Sequence, residues 1–295
     1  MEGVILKSNS GFYEVLLYKE QISVTAKMRG ILRHQEIEPV VGDKVRLEDE
    51  VGTHIIVEVY PRKNELIRPK VANIDYALVV ISVSEPKFQD FLLDKYLVVL
   101  ELNKIEPLII FTKLDLLTDE KNSEIREVAK YYENSGYHCF FYSKNHDFSL
   151  DKQRLLGLLE YKISCVVGQT GVGKSTLLNE ISGNRFKLQT NEISKALGRG
   201  KHTTRIVELF SIGKSWIADT PGFSSFSVDM IKRQELSSLF IEFAGHPCKY
   251  NNCVHINETI CGVKDAVSSG EILEKRYQNY CKIYAEIEKG GKKLW

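Results

Sequence analysis

Apolar and polar positions alternate in short runs over the first sixty residues: "GVILKS", "FYEVLLY", "ISVTAKM", "KVRLE" and "HIIVEVY". A period of two is what a strand needs when one of its faces lies on a core. Gly11, Gly30 and the turn "PVVGD" at 39–43 punctuate the runs, so short antiparallel strands are predicted. Five such strands in this length predict a small β-barrel over residues 1–66, of OB-fold or SH3-like type.

From 67 to 225 the pattern changes. "YALVVISV", "EPLIIFT", "YHCFFYS" and "KISCVVG" are apolar on both faces, and helical periodicity fills 90–103, 119–134 and 149–160 between them. This alternation predicts a doubly wound α/β domain, in which ligands bind beyond the carboxyl ends of the strands. From 226 to 295 the chain reads as helical and polar, apart from a cysteine-rich knot and the basic end "KGGKKLW". So little apolar periodicity predicts a weak core that a metal would have to stabilise.

Composition narrows this picture. A length of 295 residues suits two or three units. The formal charge of +1 argues against a dedicated nucleic-acid binder, so an RNA partner would have to meet local patches, such as Lys27, Arg29, Arg33 and His34 in the barrel. No uninterrupted apolar run approaches the roughly eighteen residues of a membrane helix, and "MEGVILKSNS" carries an acid where a secretory leader would be basic. A cytoplasmic monomer without membrane contact is expected. Three of the six cysteines fall between 248 and 261, which suits a local metal site rather than a disulfide scaffold.

"KISCVVGQTGVGKSTLLN" supplies the strand, the G-x-x-x-x-G-K-S turn and the helix of a P-loop. Gly168, Gln169, Thr170, Gly171, Val172 and Gly173 would turn backbone amides toward phosphates, with Ser175 and Thr176 opening the helix. Lys174 would reach the β and γ phosphates, and the Ser175 hydroxyl would ligate Mg²⁺. About 45 residues on, "WIADTPGF" gives a strand ending in D-x-x-G. There Asp219 would hold the Mg²⁺ through water and the Gly222 amide would sense the γ-phosphate. Between them "KALGRGKHTTRIVEL" resembles a switch loop, in which Thr203 or Thr204 would ligate Mg²⁺ while the γ-phosphate is present. The sequence does not separate the two threonines; Thr204 is taken as the ligand alongside Ser175.

The base is read elsewhere. "TKLD" at 112–115 follows the strand "EPLIIF" and matches a guanine loop. The Asp115 carboxylate can accept from guanine N1–H and N2–H₂, a donor pair that adenine lacks. Lys113 would lay its stem along the ring and help hold the P-loop. Thr112, where asparagine is commoner, is expected to bridge less. Ser143 would offer a backbone N–H to guanine O6. "CKYNNCVHINETIC" places Cys248, Cys253, His255 and Cys261 within fourteen residues, a donor set suited to one structural, tetrahedral Zn²⁺. Cys139, Cys165 and Cys281 read as ordinary residues.

Along the chain the order is guanine loop, Ser143, P-loop, switch loop, D-x-x-G: a GTPase cut and rejoined, tolerable where ends lie near each other on a surface. This order, with "GQTGVGKS", "GRGKHTT", "DTPGF", an N-terminal barrel and a cysteine-histidine knot, resembles the ribosome-small-subunit-dependent GTPase A family over essentially the whole chain. "MRGILR", "PVVGDKV" and "LLDKYL" also resemble it. The resemblance implies a protein that binds the small ribosomal subunit and its rRNA late in assembly and hydrolyses GTP to GDP, slowly alone and faster on the subunit. It points to the same four zinc ligands.

Phe223 stands where many GTPases carry a water-orienting glutamine, and a phenyl ring cannot orient water. The nearest polar candidate is His202, which the resemblance also favours as the catalytic residue. The same phenylalanine keeps alternatives in view: an RNA-binding module that uses GTP only as a switch ligand, a P-loop kinase or ATPase, and a signalling protein with a protein effector.

Overall fold

The computed structural model describes residues 1–9, 11–30, 32, 37–50, 52–67, 70–144, 147–184, 208–219, 228 and 230–291. The first five strands are β1 (Glu2–Asn9), β2 (Phe12–Leu17), β3 (Ser23–Met28), β4 (Lys44–Glu50) and β5 (Thr53–Val59). β1 pairs β2 and β2 pairs β3 antiparallel, β3 pairs β5 parallel, and β5 and β1 both pair β4 antiparallel. The ring 1-2-3-5-4-1 is thereby closed, which selects the OB-type barrel over the SH3-like one. Val15, Leu17, Val45, Leu47 and Ile56 are buried at alternating positions, as the period of two predicts.

"PVVGD" is more than a turn. Asp43 is fully buried, and its carboxylate accepts from the Val40 amide at 2.8 Å and from Arg62 Nε and Nη2 at 2.8 Å each. Gly42 has φ +87°, and a Cβ there would collide with the Ala72 carbonyl, so glycine is required. A hairpin of β6 (Glu65–Ile67) and β7 (Lys70–Ala72), which the apolar pattern does not announce, docks here through an Ala72 N–H bond to the Val41 carbonyl at 2.9 Å. Three residues are too few for alternation to register.

The chain continues through β8 (Tyr76–Ser82), α1 (Asp90–Leu102), β9 (Glu106–Thr112), α2 (Asp119–Asn134), β10 (His138–Tyr142) and α3 (Ser149–Leu159). It then forms β11 (Ile163–Val167), α4 (Lys174–Ser182), β12 (Glu208–Ile212) and β13 (Ser215–Asp219). Each both-face apolar run is a buried strand, and each periodic segment is a helix ending within a residue or two of its expected limits. By contact the chain divides into residues 1–78, 148–166 and 173–223, and residues 79–147, 167–172 and 224–295. In the first unit β13 pairs β11 parallel and β12 antiparallel, and β12 meets β1 of the barrel with Lys7 and Glu208 ion-paired at 3.0 Å. In the second, β9 lies between β8 and β10, parallel to β10.

The second unit also contains α5 (Arg233–Leu236), two 3₁₀ turns at Ser237–Leu239 and Ile241–Gly245, α6 (Gly262–Ser269) and α7 (Glu274–Gly291). The expectation of a weak core here is wrong. Phe240, Phe243, Val263, Ile272, Tyr280 and Ile283 are buried together with Val98 and Val99 of α1. Phe240 and Phe243 come from short turns with no sustained period, Val263, Tyr280 and Ile283 from α6 and α7, and partners on α1 lie more than a hundred residues upstream.

At the α1–α7 contact a guanidinium is fully buried. Arg276 Nη1 bonds Asp94 Oδ1 at 2.5 Å and its Nε bonds Glu242 Oε1 at 2.6 Å, with both carboxylates buried. Tyr132 and Asn279 each donate to Asp94 at 2.7 Å, and the guanidinium lies 4.4 Å over the Phe240 ring. Burial pushes the Asp94 carboxyl upward, against the pull of Arg276. Replacing Arg276 by Met would leave two buried carboxylates without their cation. We expect a loss of about 3–5 kcal/mol in urea unfolding; a loss below about 1 kcal/mol, the surface-pair range, would mean that the network does not support the fold.

Candidate nucleotide and metal sites

β9 and β10 run parallel in a register that sets Thr112 opposite Tyr142. The residues that follow their carboxyl ends, Lys113 to Asp115 and Ser143, therefore lie side by side although about thirty positions separate them. The Ser143 hydroxyl accepts from the Asp115 amide at 3.1 Å and donates to the Asp115 carboxylate. Ser143 is thus placed to orient the Asp115 carboxylate through its side chain, a contact that sequence reasoning missed. A polar residue at the end of the neighbouring strand was the available signal.

Thr112 stands where an asparagine would bridge more. Its buried hydroxyl donates to the Val172 carbonyl of the P-loop at 2.7 Å and lies 3.3 Å from the Ile81 carbonyl of β8. Guanine loop and phosphate loop are thereby tied directly. Lys113 sits in the left-handed region at φ +64°, and its ammonium donates to the Glu85 carbonyl rather than to the P-loop. The loop after β8 is thus part of this site, which no motif indicated.

The P-loop follows β11 at once. Gly168, Gly171 and Gly173 have φ of +145°, +84° and +101°. At Gly168 a Cβ would also collide with the Val80 carbonyl, so its glycine is required twice over. Gly173 leads into α4, which begins with Lys174, and Gly183 ends that helix in the left-handed conformation. Gln169 and Val172 border a small gap shared with Pro86, Lys87 and Leu92. Thr170, Ser175 and Thr176 are exposed. Burial lowers the Lys174 pKa.

β13 pairs β11 in parallel register from Ile163–Trp216 to Cys165–Ala218, so Asp219 ends its strand at the end where β11 enters the P-loop. His202, Thr203, Thr204, Gly222 and Phe223, with Arg33 and His34 of the barrel, lie outside the described residues. The rest of the expected basic cluster is engaged. Arg29 pairs with Glu48 and Glu50, and the Lys27 ammonium lies 5.2 Å over the Phe12 ring.

Cys248, Cys253, His255 and Cys261 do converge, with all four donor atoms within 4.8 Å of one another. His255 Nδ1 lies 3.4, 3.4 and 3.3 Å from the three sulfurs in chain order, and the Cys248 and Cys261 sulfurs are 3.8 Å apart. A tetrahedron with Zn–S of about 2.3 Å and Zn–N of about 2.0 Å has edges of roughly 3.8 Å and roughly 3.5 Å. The donors fit zinc in geometry and in chemistry. Burial opposes ionisation of Cys248, but backbone bonds at Val263 and Gly262 and the neighbouring thiols outweigh it and hold the thiol below the ordinary value.

The backbone around the histidine is tied down. Tyr277 donates to the His255 carbonyl at 2.7 Å and Tyr280 to the Val254 carbonyl at 2.6 Å. The Glu258 carboxylate accepts from the Val254 and Ile256 amides at 2.8 and 2.9 Å. Lys264 donates to the Ile256 and Glu258 carbonyls at 2.7 and 2.8 Å. Cys139 and Cys165 are fully buried on their strands, and burial pushes the Cys165 thiol up to about 12.

Comparison with known proteins agrees with this architecture. The family model described as RsgA GTPase matches residues 59–229, and that described as RsgA N-terminal domain matches residues 2–56. A protein of Leuconostoc citreum named small ribosomal subunit biogenesis GTPase RsgA is 43% identical over 97% of this chain and 95% of its own. One of the same name from Halalkalibacterium halodurans is 43% identical over 97% of each. The crystal structure of YjeQ from Thermotoga maritima superposes with a TM-score of 0.83 at 32% identity, covering 97% of this chain and 98% of that one. The crystal structure of YloQ, described as a circularly permuted GTPase, does so with 0.82 at 36%, covering 98% and 95%.

Native mass spectrometry of the full chain should find one zinc ion per molecule. In Cys261→Ser it should find none, with unfolding easier by on the order of 4 kcal/mol or more. Full metal retention by that variant would remove Cys261 from the ligand set.

Proposed function

The chain belongs to the RsgA GTPase family, and from that premise we propose that it is a cytoplasmic GTP hydrolase that docks on the small ribosomal subunit during its biogenesis. The observation that carries the nucleotide half of this reading is the Thr112–Val172 bond, because it joins a guanine loop to a phosphate loop.

Asp115, oriented by Ser143, accepts the two guanine donors, and Lys113 covers the ring. Gly168 to Gly173 present amides to the phosphates, Lys174 compensates their charge, and the Gly222 amide meets the γ-phosphate. Ser175, Thr204 or Thr203, and Asp219 through water, would hold Mg²⁺, which neutralises developing charge on the phosphates when bound. His202 accepts a hydrogen bond from the attacking water, in place of the glutamine that Phe223 displaces. A histidine in a loop that a partner must position makes turnover slow until the subunit docks. Cys248, Cys253, His255 and Cys261 would hold a single structural zinc, four protein donors being the usual full set for such an ion. The barrel and the zinc-bearing region serve as two arms toward rRNA. Among the described residues no helix is long and apolar enough to cross a membrane.

Steady-state hydrolysis of GTP, with ATP as control, should rise about a hundredfold with small subunits and not with large ones, equivalent to roughly 3 kcal/mol off the barrier. His202→Ala should lose that rise while still binding GTP. Tight GTP binding with no rise would favour the switch-only alternative that Phe223 suggests. Ser143→Ala, read by GDP titration, should bind about fivefold more weakly, the worth of one net hydrogen bond. Unchanged affinity would show that Asp115 needs no support from Ser143.

A further inference from the structure

Between α2 and the turn that precedes α7 lies an open cleft of about 730 Å³, lined by residues that belong to none of the nucleotide motifs or the zinc knot. Its size falls in the range of about 300–1,000 Å³ typical of ligand clefts. Glu127 and Tyr131 line one wall, and Glu271 and Leu273 the other. Both glutamates are exposed, and Leu273 keeps 38% of its surface in solvent. Tyr131 and Leu273 thus share the lining with two exposed carboxylates.

Glu242 also lines the cleft, where it is held by the Arg276 guanidinium that Asp94 shares. Burial first, and the nearby Glu242 second, push the Tyr131 hydroxyl up to about 12. Against three glutamates the lining offers Lys130 and His246, and His246 Nδ1 already lies 3.8 Å from Glu271.

We propose that this cleft is a docking groove for an extended, arginine- and lysine-rich segment of a protein partner. The aliphatic stems of such residues would lie along Tyr131 and Leu273 while their charged heads meet Glu127 and Glu271. The same charges repel a phosphate backbone, so the groove distinguishes a basic protein from RNA. It adds a protein contact to a molecule whose other proposed contacts face rRNA, and it stands whether or not nucleotide turnover depends on the subunit.

The test is fluorescence anisotropy of a labelled arginine-leucine repeat peptide, titrated with the zinc-loaded, GDP-bound full chain. The variants are Glu127→Lys with Glu271→Lys, and a control pair on α2 outside the cleft lining, Glu120→Lys with Glu124→Lys. All four positions are exposed, and melting curves check that each variant folds. The cleft pair should weaken peptide binding roughly tenfold or more, whereas the control pair should change it by less than about twofold. Equal weakening by both pairs, or no measurable peptide binding by the native chain, would overturn the proposal. So would binding of a single-stranded RNA that Leu273→Ala abolishes while peptide binding survives, which would assign the cleft to nucleic acid.

Discussion

The hydrogen bond from the Thr112 hydroxyl to the Val172 carbonyl joins two loops about sixty residues apart, and the proposed nucleotide site depends on their being held together. The bond joins the end of β9 to the loop after β11, and it does not depend on which of the two comes first along the chain. A permuted GTPase loses nothing in its base pocket for that reason. Thr112 ends β9, Tyr142 opposite it ends β10, and Ser143 can then hold the carboxylate of Asp115. At Gly168 a side chain would strike the Val80 carbonyl, so the loop must pass β8 as bare backbone.

The C-terminal region obeys a different constraint. Its apolar residues come from short turns and from α6 and α7, and they share one core with Val98 and Val99 of α1. The buried Arg276 then has to satisfy carboxylates from α1 and from a 3₁₀ turn together. Such a network contributes little net stability, but removing one partner is costly, which favours a single packing of α7 on α1. The cysteine-histidine knot would add a second tie when metal-loaded, because a metal held by four residues within one loop offsets the entropy of ordering that loop.

Much of this was legible beforehand. The barrel strands, the both-face apolar strands and the three central helices lie where their periods put them, because burial on one face or two imposes a period of two, of 3.6, or none. The P-loop and the knot were legible because both chemistries are local: consecutive amides around one phosphate chain, and four donors around one ion. The hairpin β6–β7 was not, since three-residue strands have no measurable period. The predicted basic patch was only partly informative: Arg29 proved to be paired with Glu48 and Glu50, which a list of cations does not show.

By itself, then, the amino-acid sequence determined the elements, the motif order and the donor sets, all of which depend on neighbours within about a turn or a strand of each other. Tertiary structure decided what requires distant groups to meet: the hydroxyl of Ser143 on Asp115, the ammonium of Lys113 on the Glu85 carbonyl, the closure of the barrel as 1-2-3-5-4, and the burial of Asp94 with Arg276. The physical reason is the same in each case. A hydrogen bond or ion pair is specified by a distance of about 3 Å, and between residues far apart in the chain only the packed backbone sets that distance.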